Sequence, residues 1–262
     1  MGRIPSVLVG IPRGIAIKIF VLSSFYYTCA PLADSIYWVM HLLTENNPKT
    51  NKSMAYGFKT YIMHLAPAWR SGYNVCQKAS VGCAAACLNT SGHGCYQRTQ
   101  KARIRRTKLF FESRAEFFAL LVADIYTAIR RSKKHGLVPC FRLNGTSDLP
   151  WESITIPGTT QTIFDMFPTV QFYDYTAVPG RSVPANCHLT FSRKESNPED
   201  VQSEMLAGRN VAVVFKALPN VWNGVKVIDG TKTDMRFCDP VGVIVGLLAK
   251  GRAKKDTSGF VV

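Results

Sequence analysis

Short apolar runs alternate with helix-compatible segments after Gly136, and this alternation is the feature that most constrains the fold. Five runs rich in Val, Ile, Leu and Phe each end in polar residues: LVPCFRL, TVQFYDY, CHLTF, VAVVF and VGVIVGLL. Between them lie LPWESI, TQTIFDMF and PEDVQSEMLAG, and the last opens with Pro and acids, as a helix N-terminus does. Such a pattern predicts an α/β fold with a mostly parallel sheet. The short connections favour a (β/α) barrel-like fold or a partial barrel.

The chain length of 262 residues allows one large domain, which we expect over residues 40–262. Residues 1–39 have three interpretations. Basic residues ahead of an apolar stretch imitate a signal peptide, and the apolar run is short for a membrane anchor. The third, which we favour, is a non-native extension from an overcalled start, with the true start at Met40. No stable membrane association is expected.

Four of the eight cysteines are concentrated between residues 76 and 95, in CQKASVGCAAACLNTSGHGC. Cys76, Cys83 and Cys87 have the spacing C-x6-C-x3-C, and Cys95 follows after seven further residues. Four thiolates can close a zinc site, with His93 as a substitute ligand, whereas three thiolates suit an iron–sulfur cluster. Unliganded thiols and a disulfide are the remaining alternatives. The spacing predicts a metal or cluster site without choosing between zinc and iron–sulfur.

A strongly basic helix is predicted to follow the cysteines, from Gln97 to about Lys134. Residues 98–135 hold eleven basic and three acidic side chains, about half of the net charge of +15. Four of the basic residues recur at helical steps of three and four and would form one stripe: Arg98, Lys101, Arg105 and Lys108. The stripe is either a solvated helix face or a surface that tracks nucleic-acid phosphates.

The strand ends after Gly136 are polar, and the carboxyl ends of parallel strands form the working edge of such sheets. The candidate site residues at these ends are Arg142, Asn144, Asp148, Asp174, Tyr175, Ser192 and Arg193, with Glu195 and Lys216 nearby. Arginine beside amides and carboxylates suits a phosphorylated or nucleobase-bearing ligand. The alternative is that individual members cap helices or pair with each other. Dinucleotide, Walker A and G-x-S-x-G motifs are absent, so those three site types have no support.

From about residue 42 to the end, the chain resembles an uncharacterised family of tailed-bacteriophage and prophage proteins. The stretches that carry the resemblance include LAPAWRSGYNVCQKASVGCAAACLNTSGHG, RLNGTSDLPWE, VQFYDYTAVPGR and HLTFSRKESN. A more distant likeness is to the mycobacteriophage gene product eighty-eight domain, a domain of unknown function. Cys95 departs from the family pattern, which favours a three-cysteine arrangement. A barrel with three such cysteines is similar to the radical S-adenosylmethionine architecture, but the spacing differs from the C-x3-C-x2-C of those enzymes, so this is an analogy.

Taken together, these features predict a phage-encoded, metal- or iron–sulfur-dependent enzyme that acts on a nucleotide or nucleic acid. The cysteines are not spread as a disulfide framework, so a reducing host cytoplasm fits best. In this hypothesis Cys76, Cys83 and Cys87 hold the metal or cluster, while Arg142 and Arg193 grip phosphate or carboxylate. Asp148 and Asp174 orient the substrate or exchange protons. The alternative is a non-catalytic nucleic-acid-binding or host-takeover protein with structural zinc.

Overall fold

The computed structural model describes residues 40–45 and 48–262, with Pro48 and Lys49 as backbone only. The three interpretations of residues 1–39 concern a segment that lies outside the described residues. Among the described helices, none combines the length and apolar character needed to cross a bilayer.

A nine-stranded, mostly parallel sheet organises the described chain, in the order β1-β2-β3-β4-β5-β6-β9-β8-β7. Strands β2 to β6, β9 and β8 pair in parallel, whereas β1 and β7 are antiparallel to their neighbours. The bounds are β1 Leu43–Thr44, β2 Phe58–Met63, β3 Val138–Arg142, β4 Gln171–Thr176, β5 Cys187–Ser192, β6 Val211–Phe215, β7 Val221–Trp222, β8 Val225–Asp229 and β9 Ile244–Leu248.

All five strands predicted from apolar runs are present, as β3, β4, β5, β6 and β9. Their continuous apolar character reflects a sheet covered on both sides. Each strand from β2 to β6 lies beside the next one along the chain. A closed barrel is not confirmed, because within the described residues the hydrogen-bonded order begins at β1 and ends at β7, with no pairing between these two strands.

The helices are α1 Pro48–Asn51, α2 Ala68–Ser71, α3 Val81–Ala85, α4 Gln97–Glu112, α5 Arg114–Lys134, α6 Ile163–Met166 and α7 Pro198–Leu206. The single helix predicted from Gln97 to about Lys134 is wrong, since Ser113 breaks it with φ −140° and ψ 63°. The break turns α4 against α5 and brings the rings of Phe110 and Phe117 to 5.0 Å. The contact between Phe110 and Phe117 stabilises this break, which the heptad spacing alone does not predict.

Two different layers cover the two sides of the sheet. On the helix face, Phe141 and Phe172 join a large apolar core with α5 and Trp151. The opposite side, the inner face, is covered by residues 230–243, the connection between β8 and β9. Phe237 of this connection packs against Phe58 and Tyr173, with ring centroids 5.3 and 5.5 Å apart. The central strands therefore have an apolar helix face and an inner face covered by this loop, while Val214 of β6 packs against α3 and the C-terminal residues.

Candidate functional site

The cysteine-rich segment follows β2 and is fastened at the carboxyl ends of β3 and β5. The backbone N–H of Asp148 donates to Val75 O at 2.8 Å, and the Cys76 thiol donates to Thr146 O at 3.8 Å. Both contacts tie the start of the segment to the loop that follows β3. Cys76 therefore lies at the carboxyl edge of the sheet, where sites of α/β folds are found.

Glu195, just after β5, fastens the middle of the segment. Its carboxylate accepts hydrogen bonds from the Ser80 hydroxyl and the Gly82 N–H, both at 2.7 Å. Burial would raise the pKa of Glu195, but these two donors lower it below the ordinary value. A side chain at Gly82 would collide with Ser258, Phe260 and Glu195, so glycine allows the close approach.

Cys76, Cys83 and Cys87, hereafter the thiol site, share one electrostatic environment. Burial raises the pKa of Cys76 to about 12, and negative charge on Asp148, Cys83 and Cys87 adds to the rise. Burial also raises the pKa of Cys87, with a further contribution from Cys83. The positive charge of Lys194 opposes both shifts. Cys76 and Cys87 are therefore both influenced by Cys83 and by Lys194.

The buried face of α4 holds the other end of the segment. Asn89 is fully buried and accepts two hydrogen bonds from Arg103, to its backbone O at 3.0 Å and to its Oδ1 at 2.9 Å. Gln100 also bonds both the backbone and the side chain of Asn89. Burial lowers the pKa of Arg103, and Cys87 opposes that shift. The helix that carries the basic stripe is thus directly attached to the thiol site.

Cys95 and His93 stand apart from this arrangement. Both are exposed in the turn Gly92–Cys95, whereas Cys76, Cys83 and Cys87 are partly buried. The His93 ring instead contacts Tyr96 at 5.7 Å.

As a metal site, the three thiols fit in donor chemistry. Thiolates are the ligands of zinc and iron–sulfur centres, and a bound cation would offset the repulsion that raises the pKa of Cys76. Coordination geometry is not formed: in the described part of the chain, no group of three or more His, Cys, Asp or Glu side chains is arranged to hold a metal ion.

Several candidate rim residues have partners within the fold. Asn144 Oδ1 accepts from the Ser147 hydroxyl, the Leu149 N–H and the Trp151 indole. Asp148 accepts from the Ala177 N–H at 2.8 Å and from Arg181 at 2.9 Å. These contacts hold the loop after β3 in place, so the two side chains shape the edge of the site.

Arg193 and Ser192 have contacts at the end of β5. The Arg193 guanidinium donates to Gly259 O and to Phe260 O, the latter at 2.9 Å. The carbonyl of Ser192 accepts from the Asn197 side chain at 3.2 Å. Arg193 therefore anchors the C-terminal residues beside the thiol site.

Arg142 and Asp174 are buried and interact with each other. Arg142 lies 3.3 Å from Asp234 and 3.7 Å from Asp174, and its guanidinium is 4.6 Å from the ring centroid of Tyr175. Burial favours a lower pKa for Arg142, but Asp234, Tyr175 and Asp174 raise it overall. Asp174 also accepts from the N–H groups of Leu143 and Asn144. The charge of Arg142 is thus neutralised within the fold.

The inner face also holds polar atoms that lack a hydrogen-bond partner. Tyr175 lies beside Thr190, and Tyr173 lies beside His188, in the register of β4 and β5. Among the described residues, no hydrogen bond reaches the Tyr175 hydroxyl, the Thr190 hydroxyl or His188 Nε2. Buried polar atoms without partners are uncommon and often mark functional sites or bound water.

His64, just after β2 on the same edge, also has a buried nitrogen, Nδ1, without a partner among the described residues. Burial lowers the pKa of His64 to about 3, and the charges of Arg103 and Arg142 lower it further. Arg103 also acts on Cys87. The buried His64 is therefore neutral beside the arginines of this edge.

The basic stripe is exposed along α4, as predicted. Arg98, Lys101, Arg105 and Lys108 are all exposed, while Gln100, Arg103, Arg106, Thr107 and Phe110 form the buried side of the helix. Within residues 40–45 and 48–262, none of the four stripe residues forms an ion pair.

Sequence reasoning missed Lys194, Arg181 and Asp234. Lys194 directly follows the candidate residue Arg193. Because side chains alternate between the two faces of a strand, the neighbour of a candidate residue at a strand end is the signal that could have identified Lys194. Arg181 joins Asp148 to Glu152 through hydrogen bonds of 2.9 and 2.6 Å. Asp234 binds Arg142, from which it is separated by 92 residues of chain, and no local sequence pattern predicts this pairing.

Comparison with curated proteins and with solved structures gave no significant match. A family model described as gene product 88 matches residues 40–262, which confirms the likeness predicted from the sequence. Because this match spans most of the chain, the protein belongs to the gene product 88 family.

Proposed function

We propose that this protein is an iron–sulfur- or metal-dependent enzyme that acts on a nucleotide or nucleic acid. The observation that supports it best is the shared environment of Cys76, Cys83 and Cys87 beside Lys194 and Asp148. Reactive groups of α/β sheets gather at this edge, and clusters of perturbed groups are common at functional sites.

In this proposal the thiolates of Cys76, Cys83 and Cys87 hold the metal centre. An iron–sulfur cluster on three thiolates would keep one iron open to a small ligand. We favour the cluster over zinc because Cys95 and His93, the candidate fourth ligands, are exposed in a separate turn. Five parallel strands in chain order, β2 to β6, with cysteines after the first, are similar to part of the barrel of radical S-adenosylmethionine enzymes, which is an argument by analogy.

Side chains around the thiol site would bind and orient the substrate. Lys194 is the free cation of this region: in the described residues it forms no ion pair, and its Nζ lies 5.4 Å from the Phe260 ring. We assign its Nζ to an anionic group of the substrate. The hydroxyls of Tyr175 and Thr190 are buried on the inner face without a hydrogen-bond partner among the described residues, so we assign them no direct contact with the substrate. Arg142, Asn144 and Arg193 would act by keeping the edge rigid.

The second candidate is a non-catalytic nucleic-acid-binding protein with structural zinc. Its support is the basic stripe, which is exposed and lacks acidic partners among the described residues. Both candidates use the stripe, so the metal decides between them.

The test is anaerobic purification of the full chain, followed by analysis of iron, sulfide and zinc. Iron and sulfide with absorbance at about 400 nm would support the enzyme. Replacing Cys76, Cys83 or Cys87 by Ala should abolish both, whereas Cys95→Ala and Cys238→Ala, at two exposed cysteines, should retain them. Colourless protein with one zinc that is lost in Cys95→Ala would favour the alternative. Full iron in Cys76→Ala, Cys83→Ala and Cys87→Ala would overturn the assignment.

A further inference from the structure

We infer that the outer surface of α4 binds single-stranded nucleic acid, with phosphates on the basic stripe and bases on neighbouring aromatic rings. This inference rests on the proposed function and specifies its substrate class. The arrangement of basic residues on α4 has an electrostatic cost. The stripe residues are three and four positions apart, so like charges repel along one face. The first turn of α4 contains no acidic residue to offset the unfavourable position of Arg98 near the helix N-terminus.

Exposed aromatic side chains lie on the elements next to α4. Tyr96 immediately precedes α4 and is 60% exposed, and Trp69 on α2 is 53% exposed. The Arg70 guanidinium lies 4.6 Å from the centre of the Trp69 ring. Indole, phenol and guanidinium groups are the flat surfaces on which unpaired bases stack.

Helix α2 is held beside α4 at both of its ends. Before α2, the Ala66 N–H donates to the Thr107 hydroxyl at 2.7 Å. After α2, Tyr73 donates to Glu112 at 2.9 Å and stacks on Phe111 with ring centroids 4.5 Å apart. Trp69 is therefore carried by an element that is fixed along α4.

The aromatic rings favour a single strand over a duplex. In a duplex the base faces are covered by neighbouring bases, so Trp69 and Tyr96 would gain no stacking, whereas a single strand offers both its bases and its phosphates. The stripe from Arg98 to Lys108 extends about 15 Å, which suits a short binding site. Arg103, on the opposite side of the same helix, holds Asn89 next to Cys87. A strand on this surface would thus pass within about one helix diameter, roughly 10 Å, of the thiol site.

The experiment measures fluorescence anisotropy of a labelled thymidine strand of about 12 nucleotides and of the matched duplex. We expect tighter binding of the single strand, with log K falling against log salt with a slope of about −3 for four phosphate contacts. Lys101→Gln with Arg105→Gln should reduce the magnitude of that slope by about 1.4. Lys133→Gln with Lys134→Gln removes the same charge from exposed positions at the end of α5 and should leave it unchanged.

The aromatic part is tested with Trp69→Ala and Tyr96→Ala. Each should weaken single-strand binding about tenfold and leave duplex binding unchanged. Tyr56→Ala is the matched control, because Tyr56 is 61% exposed and lies in a different turn. Trp69→Phe should recover part of the loss.

Tighter binding of the duplex, or unchanged affinity in both aromatic variants, would overturn the single-strand inference while nucleic acid remains the substrate class. Absence of binding to either probe at low salt would overturn the inference and restrict the proposed function to a nucleotide. In both cases the iron and sulfide content of the protein tests the metal centre separately.

Discussion

The helix face and the inner face of the same strands differ in how completely their side chains are partnered. On the helix face of β3 and β4, Phe141 and Phe172 lie 5.7 Å apart and belong to a continuous apolar core. On the inner face, the next residues along the same strands are Arg142 and Tyr173, which depend on Asp234 from a distant loop. The helix face is filled by apolar packing, whereas the inner face is only partly satisfied, by long-range polar contacts.

This difference indicates that the helix face contributes most to stability, whereas the inner face holds the polar groups suited to chemistry. A close-packed aromatic cluster contributes to stability through burial and leaves no group free to react. The inner face retains hydroxyl and imidazole groups without hydrogen-bond partners in the described residues, at Tyr175, Thr190 and His188. Proteins tolerate such groups at functional sites because their stability comes from elsewhere.

The largest expected effect belongs to the helix face. Phe117 is fully buried and lies 5.0 Å from the Phe110 ring and 6.3 Å from Trp151. Phe117→Ala should lower the free energy of unfolding by about 3–5 kcal/mol, because it removes buried surface and leaves a cavity. Denaturant unfolding followed by circular dichroism measures the change.

Phe117→Leu is the matched variant, since it keeps most of the volume and should lose only about 1 kcal/mol. Equal stability of Phe117→Ala and the unsubstituted chain would show that the helix face does not hold the fold together.

The sequence predicted the strands better than it predicted their polar ends. Continuous apolar runs identified β3, β4, β5, β6 and β9, because a strand that is buried on both faces has apolar residues at consecutive positions of its own sequence. The break at Ser113 was missed because the heptad spacing continues through it. At that break Phe110 of α4 contacts Phe117 of α5, and the periodicity of the sequence does not predict this contact.

At the site, the attachment of the cysteine-rich segment to the loop after β3 agrees with the expected position, whereas convergence of the thiols on one metal stays a prediction, and the state of the rim residues was not foreseeable. Arg142 and Asp174 were predicted to open at the edge of the sheet, but Asp174 is buried and the half-buried Arg142 lies 3.7 Å from it. Asp234, the acidic partner of Arg142, lies in the connection between β8 and β9, far along the chain from Arg142. Lys194, which acts on Cys76 and Cys87, was passed over in favour of its neighbour Arg193.

A smaller effect is expected from His64 at the edge of the inner face, and it depends on pH. Burial, with the charges of Arg103 and Arg142, lowers its pKa to about 3, against about 6.5 in the unfolded chain. Between these values the unfolded chain binds the proton and the folded one does not, so stability falls as pH drops through 6.5. From about pH 7 to about pH 5 the loss should be at most about 2 kcal/mol.

Denaturant unfolding at the two pH values tests this, with His64→Gln expected to flatten the dependence. His135→Gln, at an exposed histidine at the end of α5, should leave it as it is. The same slope in His64→Gln as in the unsubstituted chain would show that His64 is protonated equally in both states.

The smallest effect should come from the centre of the inner face. Thr190 is fully buried, and its hydroxyl has no hydrogen-bond partner in the described part of the chain. Thr190→Val replaces the hydroxyl by a methyl group of similar size, so it removes a desolvated polar atom without breaking a bond. We expect a change in the free energy of unfolding within about 0.5 kcal/mol, or a slight gain. Thr107→Val is the contrasting variant, because the equally buried Thr107 hydroxyl accepts from Ala66 and donates to Arg103 O. It leaves the Ala66 N–H unpaired and should cost about 1–3 kcal/mol. If thermal unfolding shows Thr190→Val to be as damaging as Thr107→Val, the Thr190 hydroxyl is bonded in solution, and the contrast between the two faces fails at its centre.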